Sequence, residues 1–271
     1  HGKFRRQRQM CIRDSSNPPS HTLNSSGVQE IHKFLDIIEK KDDLRVLAFT
    51  GEGENVFIRH YEVGELADSA EKNIESNKET GDPKELHAFH RMLLRLRELD
   101  AIVVAGINGN TAGGGCEFSL GCDLRVMADG DFLIGLPETS VGILPGGGGT
   151  QRLSRLIGSS RALDLILHAK LLKPLEAHNL GIINKLLTEK KFKEELDEYC
   201  EDLVNRAPIA LSQVKKIIHQ GLEMTLEDSL LLEQKAFDVT MNSKDAARAM
   251  RSLLNAQENI ENEIKFEWKG E

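Results

Sequence analysis

No run of apolar residues in this 271-residue chain approaches the ~18 that a membrane-crossing helix needs, so a helical membrane span is excluded. Basic charge is in short supply: 35 Lys and Arg stand against 43 Asp and Glu, a net charge of −8, which opposes a phosphate backbone as the main partner. The four cysteines, Cys11, Cys116, Cys122 and Cys200, show no C-x-x-C or paired-ligand spacing. They fit reduced thiols in a reducing compartment, and a cytoplasmic protein is expected. His87 and His90 stand three apart in a helical pattern but have no further ligand in register, so no metal is expected and a solvated helix face is the simpler reading. The glycines Gly146 to Gly149 precede T-Q-R-L and lack the G-K-[ST] ending of a nucleotide-phosphate loop; they read as a structural turn.

What is present describes an ordinary soluble globular chain, with 39% hydrophobic residues and a mean hydropathy of −0.35. The first fifteen residues stand apart. Arg5, Arg6, Arg8 and Arg13 imitate an organelle transit peptide, yet M-C-I-R-D-S at Met10 to Ser15 resembles the translated end of a sequencing-library transposon. Residues 1–15 are therefore expected to be non-native and to stand in place of a true first strand. From Ser26, S-G-V-Q suggests a capping box before an amphipathic helix carrying Val28, Ile31, Phe34, Leu35 and Ile38. Arg45 to Thr50 reads as a buried strand, Ala67 to Pro83 as a mobile polar insertion, and Leu86, Phe89, Leu93 and Leu96 as one face of a helix. Strands are expected at Ala101 to Ile107, Leu124 to Ala128 and Phe132 to Leu136, and the alternation makes the architecture α/β. Strand signals end near Lys185. Helices are expected at Phe192 to Val204, Pro208 to Gly221, Leu226 to Val239 and Lys244 to Phe266.

Chemistry concentrates where the strand ending at Ile107 runs into N-G-N-T-A-G-G-G-C-E. Gly113, Gly114 and Gly115 lie between strand and helix, where residues without side chains let backbone N–H groups approach an anion or a carbonyl oxygen. Glu117 follows Gly114 by three residues, on the same helical face about one turn away. Glu138 follows Pro137 directly after a strand and is expected on a rigid turn instead of a helix. Two carboxylates near an oxyanion site suit general acid–base work.

The stretch Ile102 to Gly158 resembles the signature of the crotonase superfamily, the enoyl-CoA hydratase/isomerase family. The likeness extends to N-P-P-S-H-T-L-N before the first helix, L-E-A-H-N-L-G-I-I-N-K-L from Leu175, A-P-I-A-L from Ala207 and the W-K-G-E ending. This resemblance implies a spiral of ββα units over residues 16–200 and a C-terminal helical oligomerisation region over residues 201–271, giving homotrimers or dimers of trimers. It also implies an acyl-CoA thioester substrate and no separate cofactor, coenzyme A being part of the substrate. Gly114 and Tyr61 fall on the positions whose N–H groups form the oxyanion hole, and Glu117 and Glu138 on the two catalytic glutamates. Arg59, His60, Tyr61, Gly113 and Gly114 fall where substrate is bound.

One loop departs from the family pattern. Where relatives carry F-x-A-G-A-D, this chain reads Phe57, Ile58, Arg59, His60, Tyr61, Glu62, so a glycine's backbone freedom is lost at His60 and a ring is added at Tyr61. Hydration of a 2-enoyl-CoA is the leading expectation. Isomerisation, or hydrolysis of a thioester or β-diketone, is the rival within the superfamily, and a non-catalytic binding subunit the rival outside enzymes.

Overall fold

Periodicity in the sequence becomes burial in the fold. The computed structural model describes residues 4–7, 10–15, 17–77, 82–256 and 266–271. Strands β1 (Phe4–Gln7) and β2 (Met10–Ser15) lead to α1 (Ser25–Ile38), whose Val28, Ile31, Phe34, Leu35 and Ile38 are all buried. The N-cap of α1 is Asn24 and not the box predicted at Ser26: Asn24 is still extended and its side chain accepts from Gly27 N, whereas Ser26 already lies inside the first turn. After β3 (Val46–Gly51) comes α2 (Val63–Glu75), which replaces most of the expected mobile insertion. No side chain of α2 is buried, so it lacks the core periodicity that marks a helix in sequence. Residues 78–81 of that insertion lie outside the described residues. Leu86 is exposed and precedes α3 (Ala88–Glu98), whose buried face is Met92, Leu93 and Leu96.

The chain continues through β4 (Ile102–Ile107), β5 (Thr111–Ala112), α4 (Gly114–Leu120), β6 (Leu124–Asp129), β7 (Ile134–Gly135), α5 (Gly149–Ile157), α6 (Ser159–Leu167), β8 (Leu171–Leu172), α7 (Pro174–Asn179) and β9 (Lys185–Thr188). A six-stranded sheet has the order β1-β2-β3-β4-β6-β9, and a three-stranded sheet the order β5-β7-β8. Every pairing in the larger sheet is parallel except β1 with β2. The six residues of β4 are all buried, the continuous apolar run expected of a parallel strand covered on both faces. β9 lies beyond the point where strand signals fade, because one short edge strand with a single buried residue leaves little pattern to read. Met10–Ser15, the segment expected to be foreign, pairs along its length with β3.

Four helices follow: α8 (Phe192–Val204), α9 (Pro208–Gly221), α10 (Leu226–Met241) and α11 (Lys244–Ala256). Residues 257–265 of the helix predicted to Phe266 lie outside the described residues. The terminal segment returns to α11, where Asp245 accepts from Lys269 N at 2.9 Å and Gly270 N at 2.6 Å. All four cysteines are buried. Among the described residues no helix is long and apolar enough to cross a membrane.

Candidate active site

Strand register decides which residues meet. β5 and β7 run parallel with Thr111 opposite Ile134 and Ala112 opposite Gly135, and Gly113 N donates to Gly135 O at 2.9 Å. The residues leaving the two strands, Gly113 and Gly114 on one side and Leu136 to Glu138 on the other, therefore emerge together. A second run of backbone bonds lays residues 57–59 along the same edge: Phe57 N donates to Asn110 O, and Ala112 N to Arg59 O. Two residues further, Tyr61 reaches Gly114. A Cβ on Gly114 would lie 3.0 Å from Tyr61 N and 2.8 Å from Tyr61 Cβ, so this approach of two peptides requires glycine.

The donors are aimed by what their neighbours do. Leu23 N donates to His60 O and Glu62 N to Leu23 O, which turns the intervening Tyr61 N–H to the opposite side, towards Gly114. Among the described residues neither the Tyr61 nor the Gly114 N–H has a hydrogen-bond acceptor. Gly113 supports the turn with φ +51°. Two adjacent unpaired amides at a helix start are an arrangement able to receive an oxygen that gains negative charge.

Two carboxylates flank them. Glu117, on α4, is only 4% exposed, and its Oε1 accepts from Gly147 N at 2.7 Å and Gly149 N at 2.8 Å. Burial pushes its carboxyl up, while those two amides and the nearby Arg152 guanidinium pull it back. The glycine run before α5 is thus more than the structural turn expected from sequence. It folds back over α4, and a Cβ on Gly147 would lie 2.6 Å from both Glu117 Oε2 and Phe89 Cε1. Glu138 opens a 3-10 turn, Glu138–Val141, instead of standing on a plain turn. Burial, with the charge of Glu117 adding to it, raises the Glu138 carboxyl to about 7. Its Oε2 is buried without a partner, and its Oε1 lies 3.3 Å from where a Gly113 Cβ would be.

The remaining candidates divide. His60 is half-buried, with Nδ1 2.7 Å from Tyr61 O. It needs no left-handed backbone, since the non-glycine residues with positive φ are His21, Asn55, Asn77 and Ala169; the lost glycine therefore costs nothing there. The Tyr61 hydroxyl lies 3.0 Å from Ser25 Oγ and donates to Glu65 at 3.2 Å. Its ring meets Phe89 edge-on at 6.2 Å. Arg59 is exposed. His90 is half-buried beside Gly147 and Arg152, a correction to the solvated face expected for it. Sequence reasoning also passed over Arg152 and gave Gly147 and Gly149 no part in the site beyond a turn. A glycine run ending on a helix whose first turn carries arginine is the one local signal that pointed there.

The family model for enoyl-CoA hydratase/isomerase matches residues 10–265. The chain belongs to the enoyl-CoA hydratase/isomerase family. A short-chain-enoyl-CoA hydratase of Clostridium acetobutylicum is 31% identical over 86% of this chain and 86% of that protein. A probable mitochondrial enoyl-CoA hydratase 2 of Arabidopsis thaliana is 34% identical over 86% of this chain and 74% of its own length. Among solved structures, an enoyl-CoA hydratase from Geobacillus kaustophilus superposes with a TM-score of 0.86 at 28% identity, covering 99% of this chain and 96% of that one. One from Bacillus anthracis gives 0.85 at 26% identity, covering 100% and 99%. The crotonase fold, with its parallel sheet and C-terminal helices, is therefore present, as the resemblance implied.

Proposed function

We propose that this family member is an enoyl-CoA hydratase, adding water across the double bond of a 2-enoyl-CoA thioester. The observation that carries the reading is the convergence of three separate segments, the exits of β5 and β7 and the stretch 57–61, on one point: the Tyr61 and Gly114 amides side by side, with Glu117 and Glu138 about them. The amides receive the thioester oxygen as it takes on enolate character, each worth about 3 kcal/mol in sites of this kind. The carboxylates differ in environment, and the difference assigns their work. Glu117, held by two amides and near a guanidinium, serves as the base that draws a proton from the attacking water. Glu138, raised to about 7, is the acid that supplies the α-carbon. Protons balance: one leaves water at the β-carbon and one arrives at the α-carbon.

Coenzyme A enters as part of the substrate, with Arg59 and His60 at the mouth, and no further cofactor takes part. Cytoplasmic residence and assembly as a homotrimer or a dimer of trimers belong to the same reading. Exposed Ile218, Leu222, Leu226, Leu231 and Phe237 on the C-terminal helices support assembly, as apolar surface of this kind marks interaction sites. Incubation with crotonyl-CoA tests the activity: the conjugated thioester absorbance is expected to fall as 3-hydroxyacyl-CoA forms. An unchanged absorbance with short, long and branched enoyl-CoAs would overturn it.

A further inference from the structure

We infer that Arg152 is a positioning residue for the base: it holds the glycine loop that orients Glu117 and supplies a positive charge that favours the ionised form of this carboxylate. The inference rests on the hydratase reading for the role of Glu117, but its geometry does not. Arg152 Nη1 donates to Gly147 O at 3.1 Å, and Arg152 N donates to Gly148 O at 2.9 Å. The same loop presents Gly147 N and Gly149 N to Glu117 Oε1 on its other side. The peptide joining Gly148 O to Gly149 N is planar, so the Arg152 backbone N–H on that carbonyl aims Gly149 N–H at Glu117, while the guanidinium holds the carbonyl of Gly147, the residue whose own amide is the second donor to Glu117. Gly148 closes the turn at φ +100°, and a Cβ there would collide with Arg152 Nη1 and lie 3.7 Å from His90 Nδ1. Loop, guanidinium and imidazole therefore interlock.

Nothing in helix formation asks for this arginine. It occupies the first turn of α5, where a cation opposes the helix dipole. It is half-buried, and desolvation lowers its pKa while Glu117 acts in the other direction. A cation placed against its local preference beside a buried carboxylate points to a role in the site. The charged and titratable groups around the pair are few. Arg152 faces Arg97 and Arg155 as like charges, Cys122, and half-buried His90; Glu117 faces Arg152 and acts on Glu138. Without Arg152, burial of Glu117 is opposed by the two amides alone. Glu117 would then lose its proton only at higher pH, and the acid limb of the pH–rate profile, where the base protonates, would move up.

The test measures kcat and KM for crotonyl-CoA across pH with the wild type, Arg152→Gln and Arg152→Lys, alongside thermal melting of each. For Arg152→Gln the acid limb is expected to rise by about one pH unit and kcat to fall ~10- to 100-fold with little change in KM. Arg152→Lys keeps the charge but not the guanidinium fork, so its limb should stay with the wild type while kcat recovers only in part. A folded Gln variant with an unmoved acid limb would overturn the inference. Should the Gln variant not fold, a Lys variant whose limb rises by the same unit would do so. If the wild type hydrates no enoyl-CoA, the hydratase reading fails, and Arg152 is then read without turnover. Infrared titration of the Glu117 carboxyl, isolated by difference against Glu117→Gln, should still show a higher pKa in Arg152→Gln than in the wild type, and equal values would sink the inference.

Discussion

At the scale of single residues, the two glutamates carry different expectations. Glu117→Gln and Glu138→Gln should each lower kcat by about 10² to 10⁴ with the fold intact, measured as crotonyl-CoA hydration beside a melting curve; a wild-type rate in either would make that glutamate structural. Glu138 also links pH to stability. Its carboxyl ionises near 4.5 in the unfolded chain and about 7 when folded, so between those values the folded state holds the extra proton and stability falls as pH rises. Above the folded value the full deficit remains. Glu138→Gln removes it, so at pH 8 this variant should melt about 2–4 °C above the wild type, a gain of ~1 kcal/mol after discounting for partial exposure. Equal melting temperatures at pH 8 would contradict the raised value. Tyr61 separates backbone from side chain. Tyr61→Ala keeps the N–H beside Gly114 and should stay active, whereas Tyr61→Pro removes it and should cost about a hundredfold in rate. A well-folded proline variant matching alanine would remove Tyr61 N from the mechanism.

At the scale of elements, α3 and the glycine loop before α5 form one wall of the site. Phe89 on α3 meets the Tyr61 ring edge-on, and its Cε1, like Glu117 Oε2, would be 2.6 Å from a Cβ on Gly147. The ring pair therefore spans from Tyr61 to the loop that holds Glu117, and under the proposed hydratase reading it borders the acyl chain. Phe89→Ala should raise kcat/KM for long-chain over short-chain enoyl-CoAs by about 10-fold. An unchanged ranking across chain lengths would show that the rings do not border the chain. Gly147→Ala should lower kcat at least ~10-fold with a small change in melting temperature, because the added methyl displaces the carboxylate it contacts.

At the scale of the whole molecule, one buried ion pair ties the C-terminal helices to the part of the fold that carries the candidate site. Lys215 on α9 has a side chain only 2% exposed and pairs with Asp123 at 2.8 Å. It also donates to Leu96 O and Ala101 O. Asp123 in turn accepts from Val103 N and contacts His219, so α9 is fastened to the end of α3, the start of β4 and the exit of α4. Lys215→Ala leaves a buried carboxylate and two carbonyls without their cation and should destabilise the protein by about 3–5 kcal/mol. Urea unfolding measures this. A change below ~1 kcal/mol would mean that apolar packing of α9 suffices, as is common for surface pairs. Arg45 adds a second fastening, bonding Val204 O and Trp268 O.

The sequence alone determined the parts of the molecule whose signal is local. Val28, Ile31, Phe34, Leu35 and Ile38 repeat with the period of a helix because one face must be buried, and β4 is apolar throughout because both of its faces are. Gly114 and Glu117 are legible because a strand end, a glycine turn and a carboxylate within one helical turn are adjacent in the chain, and Glu138 because it follows Pro137 directly after a strand. Only the tertiary structure decided what depends on distant segments. It made α2 a helix with no buried side chain, whose order comes from its Glu62 cap and from Glu65 bonding Ser25. It joined β9 to the sheet through β6. It brought the amides of Gly147 and Gly149 onto Glu117 across thirty residues and more of chain, together with Arg152, Phe89 and His90. No periodicity records such a meeting, because a hydrogen bond between a glycine's backbone and a far carboxylate places no requirement on neighbouring side chains.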